Sequence, residues 1–292
     1  MQNYVFQERW KVHRFFRMII FSLVFCCGVI FLTAVVSAAT TEVHIVKYAA
    51  DNVTVIKEKT VTYQWLETNL PVVGDGTTHY YHQGPVFVDD ADPAREEQLR
   101  WNIAENANVK EKDMGALKGT ALKDLCDLAG GMVPGDTVKI KAEDGFSRTF
   151  SFENVYTPSS RQGPMVITWY HDKEGYVPQY RTGMRLIFFA DNSTNPWGIH
   201  AFGNYDWHES AAPEYWYYYQ QGEEKYPTTT GLSVQYISDI LIYSRNTVTG
   251  EPVHPPKNAS VAVPTQAGIS LFTIVCSLAA CGVLGYTMHK RV

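Results

Sequence analysis

The stretch TVKIKAEDGFSRTFSF, residues 137–152, predicts a β-hairpin. Apolar and polar side chains alternate from Thr137 to Ala142, which is the period of a strand with one buried face. Asp144-Gly145 is a dipeptide that suits a tight turn, and a second strand is predicted from Phe146 to Phe152. The hairpin therefore indicates a sheet that packs one face on a core.

Further runs of β-branched and aromatic residues on both sides of this hairpin predict a domain that is mostly strand. A short helix is predicted at 63–70, opened by Thr62 and stopped by Pro71, and another at 93–101. The fold class is therefore α+β and strand-rich, over residues 40–243. The other predicted strands are 42–48, 53–58, 165–170, 184–190 and 233–243.

The most regular helix is predicted at 121–129, between Thr120 as N-cap and a pair of glycines. Its apolar side chains are spaced i, i+3, i+4 and i+7 and so form one stripe. The stripe comprises Leu122, Leu125, Cys126 and Ala129. The prediction is a structural cysteine in the core; the alternative is a reactive or ligating thiol.

Two uncharged runs of about twenty residues, 18–39 and 268–288, lie near the ends of the chain. Basic residues flank each run on its outer side: Arg9, Lys11, Arg14 and Arg17 before the first, Lys290 and Arg291 after the second. Basic residues stay in the cytoplasm more readily than they cross a bilayer. The residues between the runs are therefore expected outside the cell.

The C-terminal run, 268–288, is long enough to cross about 30 Å of hydrocarbon as a helix. It is predicted to anchor the protein in the cell membrane, with 289–292 as a basic cytoplasmic tail. The alternative is a sorting signal that is cleaved and replaced by a lipid. Residues 1–39 resemble a secretory signal peptide, and an uncleaved signal anchor is the alternative.

The segment 244–267 contains four prolines and is predicted to be an extended linker that holds the domain off the membrane. Three glycosylation sequons, at Asn52, Asn192 and Asn258, become usable if the domain is exported, so a glycoprotein is expected.

Charge and cysteine usage agree with an exported domain. Residues 40–288 contain 19 basic and 29 acidic residues, a net charge of −10. An acidic surface disfavours nucleic acid as a partner, because nucleic-acid binding needs a positive footprint. Four of the five cysteines lie in the two apolar runs, which leaves Cys126 without a disulfide partner in the domain.

Four further segments form a set: KGTALKDL at 118–125, GDTVKIKAEDGF at 135–146, GMRLIF at 183–188 and VQYISDI at 234–240. Together they resemble the sulfite-oxidase-like, molybdopterin-binding oxidoreductase domain. They occur in that family's order, and the resemblance covers roughly residues 60–243. The layout with two apolar ends resembles exported surface proteins of methanogenic archaea.

The resemblance implies a mixed α+β fold around a β-barrel-like core, and molybdopterin as a cofactor. In catalytic members a cysteine thiolate upstream of the helix ligates molybdenum. The matching residues here, 100–117, contain no cysteine, and Cys126 comes later, inside the predicted helix. Because the metal needs a soft thiolate ligand, the expectation is a scaffold without redox molybdenum.

The richest candidate binding segment is NPWGIHAFGNYDWHE, residues 195–209, followed by an aromatic run at 215–219. Loops on a rigid scaffold often carry binding residues, and aromatic rings with polar groups suit glycans, flat rings or a protein partner. The alternative is a small satellite core under a long loop. The candidate ligand-binding residues are Trp197, His200, Asp206, Trp207, His208, Tyr215 and Trp216.

Two further clusters are candidate metal sites. His79 and His82 would bind zinc only if they share a turn or helix and other ligands join them, since zinc needs three or four. On a strand they point to opposite faces. Asp89, Asp90 and Asp92 offer oxygen ligands for calcium; the alternative is a solvated acidic turn before the helix at 93–101.

Three functions remain open from the sequence. The first is a ligand-binding or structural module on the cell surface, with other envelope proteins or glycans as partners. The second is an exported molybdopterin-dependent oxidoreductase, and the third is a zinc- or calcium-dependent extracellular enzyme. No catalytic residue is assigned.

Overall fold

The computed structural model describes residues 40–88, 90–101, 109–193 and 195–245, and shows a strand-rich α+β domain. The predicted N-terminal segment, Asp89, Asn258, most of the linker and the C-terminal run lie outside the described residues. None of the helices in the described ranges is both long and apolar enough to cross a membrane.

The strands are β1 (Glu42–Tyr48), β2 (Val55–Thr62), β3 (Val72–Val73), β4 (His79–His82), β5 (Asp113–Ala121), β6 (Thr137–Ala142), β7 (Ser147–Ser151), β8 (Met165–His171), β9 (Gly175–Tyr176), β10 (Arg185–Phe188), β11 (His200–Phe202), β12 (Tyr218–Gln221), β13 (Glu224–Pro227) and β14 (Ile237–Tyr243). The helices are α1 (Tyr63–Asn69), α2 (Pro93–Trp101), α3 (Leu122–Leu128), α4 (Phe152–Tyr156) and α5 (Asn204–Ser210). Short 3₁₀ turns occur at Val109–Glu111, Pro213–Tyr215 and Thr230–Leu232.

The predicted hairpin is confirmed as β6 and β7, which pair antiparallel with Ile140 opposite Arg148. Every second residue of β6 is buried, so one face of the hairpin packs on the core. Gly145 adopts φ +90°, a conformation that glycine adopts freely, and the Asp144 carboxylate accepts the N–H of Phe146 at 2.9 Å. Turn chemistry and alternation thus both act as the sequence predicts.

This hairpin forms one end of a five-stranded sheet in the order β2-β1-β14-β6-β7. The first and last strands of the described domain, β1 and β14, pair parallel at its centre, with Ile45 opposite Ile240. Both residues are fully buried. The two ends of the domain are therefore held together in its core, although 194 residues separate these two positions in the chain.

A second sheet has the order β10-β8-β5-β4-β11, with β3 and β9 added to β5 and β8. Its two edge strands approach each other, because Phe188 on β10 stacks on Phe202 on β11 with ring centroids 4.3 Å apart. The sheet therefore curls strongly, as the twist of β-sheets permits.

Helix α3 confirms the predicted buried stripe: Leu122, Leu125, Cys126 and Ala129 are all fully buried. The predicted cap is wrong. Ala121 occupies the N-cap position without a side-chain hydrogen bond, and Thr120 is the buried penultimate residue of β5. The Thr120 hydroxyl instead accepts the indole N–H of Trp169 at 3.1 Å, so strand pairing overrides the local capping preference.

Helix α1 is confirmed, including its cap, since the Thr62 hydroxyl accepts the N–H of Trp65 at 3.3 Å. The predicted strands are present with shifted ends: 53–58 becomes Val55–Thr62, and 233–243 shortens to Ile237–Tyr243. The loop predicted at 195–209 is partly regular, because it contains β11 and helix α5.

Candidate functional site

The candidate residues of segment 195–216 divide into a surface group and a core group. His208 and Trp216 stack with ring centroids 4.4 Å apart, and Trp101 from α2 lies 4.9 Å from each of them. Tyr218 on β12 meets Trp101 edge to face at 5.9 Å. We call Trp101, His208, Trp216 and Tyr218 the aromatic cluster.

The aromatic cluster is fixed in place by hydrogen bonds from its indoles. The Trp216 N–H donates to the carbonyl of Ala211 at 3.0 Å, which holds the chain after α5 against the cluster. The Trp101 N–H donates to Glu97 one turn earlier on α2 at 2.8 Å. His208, Trp216 and Tyr218 are half-buried, while Trp101 is 6% exposed. The aromatic cluster therefore lies at the surface, with three of its members partly exposed and Trp101 beneath them.

Next to the aromatic cluster, a more exposed pair of rings is formed by one residue after β4 and one residue on β12. Phe87 and Tyr219 are 60% and 45% exposed and meet edge to face at 6.1 Å. Phe87 also packs edge to face on the buried Tyr226 at 4.7 Å, and the Arg100 guanidinium lies over the ring of Tyr226 at 4.3 Å. We call Phe87 and Tyr219 the exposed ring pair.

Asp206 and Trp207 lie in the core and do not face the solvent. The Trp207 ring packs against Phe150, Phe188 and Phe202, and its N–H donates to the carbonyl of Tyr215 at 3.2 Å. Tyr215 thus contributes its backbone to this contact and is half-buried.

The Asp206 carboxylate is buried at the start of α5, where it accepts the N–H of Gly203 at 2.8 Å and the Arg161 guanidinium N–H at 3.1 Å. Burial raises the pKa of Asp206 to about 6, although the hydrogen bonds from Gly203 and Arg161 act against that rise. Its charge is therefore retained at neutral pH by these two partners.

Trp197 and His200 lie apart from the aromatic cluster. His200 Nδ1 hydrogen-bonds the carbonyl of Ala190 at 2.8 Å, and its ring meets Tyr80 at 5.3 Å. The N–H of Trp197 donates to the Asn195 side chain at 3.0 Å within a turn. The structure therefore does not gather all seven candidates into one site.

His79 and His82 lie on strand β4, and the structure does not bring them together. His79 Nδ1 is 2.8 Å from the Asp113 carboxylate at the surface. His82 is fully buried between Phe188 and Phe202, and its Nε2 accepts the N–H of Phe188. In the described ranges, no three His, Cys, Asp or Glu side chains are grouped so as to hold a metal ion.

Asp90 and Asp92, the two described members of the acidic cluster, take part in the start of α2. Asp90 lies 3.4 Å from Arg95 and accepts the N–H of Asp92, while the Asp92 carboxylate accepts the N–H of Ala94 at 3.0 Å. An acidic residue in this place satisfies helix N–H groups and favours the helix dipole.

Molybdopterin chemistry requires a thiolate at an accessible metal, and Cys126 does not fit that role. Its side chain is fully buried in the hydrophobic core. Burial, aided by the charge of Asp127, raises the pKa of the Cys126 thiol well above its usual range. The one cysteine among the described residues is therefore held as a neutral thiol.

One candidate site was not predicted. A cleft of about 520 Å³ opens beside β5 and the β8–β9 turn. We call it the charged cleft. Its lining residues are Asp113, Gly115, His171, Lys173, Glu174 and Arg181. The only hint in the sequence is the Asp-Lys-Glu-Gly turn at 172–175, which has no motif of its own.

Similarity to known proteins adds no assignment to these surfaces. No protein-family model matches the chain, and no curated protein matches it in sequence.

Proposed function

We propose that this chain is an exported, membrane-anchored surface protein whose domain binds carbohydrate at the exposed ring pair. The domain is proposed to have a sulfite-oxidase-like fold that acts as a binding module without redox molybdenum. The observation that carries this proposal is the pairing of Phe87 and Tyr219, two large rings that remain exposed beside a well-packed aromatic cluster.

Exposed rings of this kind suit sugars because the C–H face of a pyranose packs on an aromatic face while its hydroxyls need polar neighbours. The β12–β13 hairpin supplies polar neighbours on the same face: Gln221 lies two residues after Tyr219 on β12, and the exposed Glu224 lies opposite Gln221 on β13. A neutral sugar is also not repelled by a domain with an excess of acidic residues. A satellite core, by contrast, would leave neither ring this exposed.

The surface location is supported by the two uncharged runs with basic outer flanks. Non-redox function is supported by the burial of Cys126 in α3, since a buried neutral thiol is a poor ligand for a soft metal.

Binding is tested with the full chain in detergent on a glycan array, followed by titration of the best ligand. We expect Tyr219→Ala and Phe87→Ala each to weaken binding by tenfold or more, about 1.4 kcal/mol. Phe146→Ala is the matched control, because Phe146 is 39% exposed on the other hairpin. Absence of any glycan binding, or equal binding by Tyr219→Ala, overturns the carbohydrate assignment. Capture of an envelope protein by the same rings would replace it.

Location and redox function have separate tests. Protease added to intact cells should remove the domain, and protection of the domain from protease overturns export. Protein purified from its own membrane should contain no stoichiometric molybdenum or pterin. About one of each per chain would instead establish the oxidoreductase alternative.

A further inference from the structure

The charged cleft has features of a built binding site. Its volume of about 520 Å³ lies in the range of small-molecule sites, roughly 300–1,000 Å³. Its walls come from three separate parts of the chain: strand β5, the turn between β8 and β9, and Arg181. All of its side chains are ionisable, and both signs of charge are present.

His171 lines the charged cleft, and its ring nitrogens have different partners. Its Nδ1 accepts the backbone N–H of Lys173 at 3.1 Å, which places the proton of the neutral ring on Nε2. If the ring is protonated, Nδ1 can turn to the Asp172 carboxylate at 3.3 Å, and Nε2 still carries a proton. Nε2 is therefore a donor in both states.

Gly115 makes room for this imidazole. It adopts φ +96°, and a Cβ at this position would lie 2.2 Å from His171 Nε2. Any larger residue would push the ring out of its place on Tyr180, whose ring centroid lies 5.3 Å away. The backbone of β5 thus holds the imidazole ring in place.

Glu174 and Arg181 neutralise each other at one wall. The Glu174 carboxylate accepts the backbone N–H and the Nε–H of Arg181 at 2.7 and 2.8 Å, and Nη2 lies 2.7 Å away. Burial alone would raise the pKa of Glu174, but the hydrogen bonds and charge of Arg181 outweigh it and lower that pKa. The pair adds polarity to the cleft and no net charge.

The cleft contains two further ionisable side chains, one acidic and one basic. Asp113 accepts the N–H of Gly115 at 2.8 Å, and its two carboxylate oxygens lie 3.0 and 2.8 Å from His79 Nδ1. The ammonium of Lys173 has no ion-pair partner in the described part of the chain. The cleft is therefore lined by a carboxylate on β5, an ammonium on the β8–β9 turn and the imidazole of His171 at the end of β8.

We propose that the charged cleft binds a small zwitterion, with an α-amino acid as the simplest case. The ligand's carboxylate accepts hydrogen bonds from Lys173 and from His171 Nε2. The ligand's ammonium donates to Asp113. Charge-assisted hydrogen bonds at both ends make the two halves of such a ligand reinforce each other. A neutral polyol would supply no counter-charge to the ammonium of Lys173.

Isothermal titration of the full chain in detergent, at constant ionic strength, tests this proposal. The probes are the common α-amino acids, with acetate and methylamine as half-ligands and glycerol as the neutral polyol. We expect saturable binding of at least one amino acid, and an affinity at least tenfold weaker for each half-ligand and for glycerol.

Substitutions locate the binding. Lys173→Gln and Asp113→Asn should each weaken amino-acid binding by tenfold or more. Asp113→Asn retains an acceptor for the N–H of Gly115, so the fold is preserved. His171→Gln should keep more affinity than His171→Phe, because glutamine retains an N–H donor. Lys57→Gln, an exposed lysine on β2, is the matched control.

Several outcomes would overturn the assignment. They are the absence of saturable binding by every amino acid tested, equal binding of glycerol, or undiminished binding by Lys173→Gln. Circular dichroism of each variant separates loss of binding from loss of fold.

Discussion

The Nε2 atom of His82 accepts a hydrogen bond from the backbone N–H of Phe188 at 3.2 Å. This contact joins β4 to β10, two strands that are not neighbours in the curled sheet. The imidazole is fully buried between Phe188 and Phe202, and its Nδ1 has no hydrogen-bond partner among the described residues. Burial, together with the nearby charge of Arg185, lowers the pKa of His82 to about 3.

This buried histidine should make the fold sensitive to acid. In the unfolded chain His82 binds a proton below about pH 6.5, whereas in the folded chain it does so only near pH 3. The unfolded state thus holds more protons in this window, so the free energy of unfolding falls as the pH drops, by about 1.4 kcal/mol per unit. His82→Gln keeps an acceptor for Phe188 and should remove this contribution. Urea unfolding at about pH 7 and about pH 4.5 measures it.

Asp206 should make the free energy of unfolding depend on pH in the opposite direction to His82. Its pKa is raised from 3.8 to about 6, so the folded state keeps a proton that the unfolded state has lost between these values. Stability from this residue therefore falls as the pH rises through the window, by about 3 kcal/mol in total. Asp206→Asn remains uncharged and can still accept the N–H of Gly203. It should lose stability more steeply than the unmodified protein when acidified from about pH 6 to about pH 4.

The variants at His82 and Asp206 serve as controls for each other in the pH experiment. Between about pH 6 and about pH 4 their contributions have opposite signs and partly cancel in the unmodified protein. His82→Gln should therefore gain stability on acidification in this window, and Asp206→Asn should lose it. If both variants follow the pH dependence of the unmodified protein, neither residue titrates differently in the folded and unfolded states.

Local sequence patterns predicted those elements in which apolar residues recur at the spacing of a strand or a helix. The alternation of residues 137–142 and the turn at Asp144 gave the hairpin, and the i, i+3, i+4, i+7 stripe gave α3 with Cys126 inside. Strand β5 was not predicted. Its sequence DMGALKGTA has two glycines and no alternation, because the strand is central and mostly buried on both faces.

In the candidate sites too, local sequence patterns predicted some residues but not the contacts between distant parts of the chain. Sequence proximity placed Trp207 beside His208, but the turn of α5 sends the first into the core and the second to the surface. Trp101 joins His208 and Trp216 from a helix more than one hundred residues earlier, which no local pattern indicates. The charged cleft depends on the pairing of β5 with β8, and long-range pairing of this kind has no signature in a single sequence.

Gly115 should tolerate no side chain. Alanine at a position with φ +96° costs about 1–2 kcal/mol from backbone strain alone, and its Cβ would also displace His171. Gly145 has a similar φ of +90° with nothing within 4 Å of a Cβ, so Gly145→Ala reports the strain without the clash. Gly115→Ala should therefore lower the free energy of unfolding by more than Gly145→Ala does. Equal losses in urea unfolding would show that His171 moves aside freely.

Cys126 should be inert in the folded protein. The raised pKa of its thiol leaves almost no thiolate, which is the reactive form, and the fully buried side chain excludes reagent. Alkylation followed by peptide mass spectrometry should leave Cys126 unmodified under native conditions and modify it fully in urea. Modification at equal rates in both conditions would contradict the core assignment.

Substitution at Cys126 separates a structural thiol from a ligating one. Cys126→Ser buries a hydroxyl among apolar neighbours and should cost about 1–3 kcal/mol, because the donor lacks a partner there. Cys126→Ala leaves only a small cavity and should cost less, about 1 kcal/mol. A structural cysteine gives this order in urea unfolding, with alanine the milder change. A thiolate that holds a metal would give a different result, since both substitutions remove the ligand and bound metal would be lost equally from both variants.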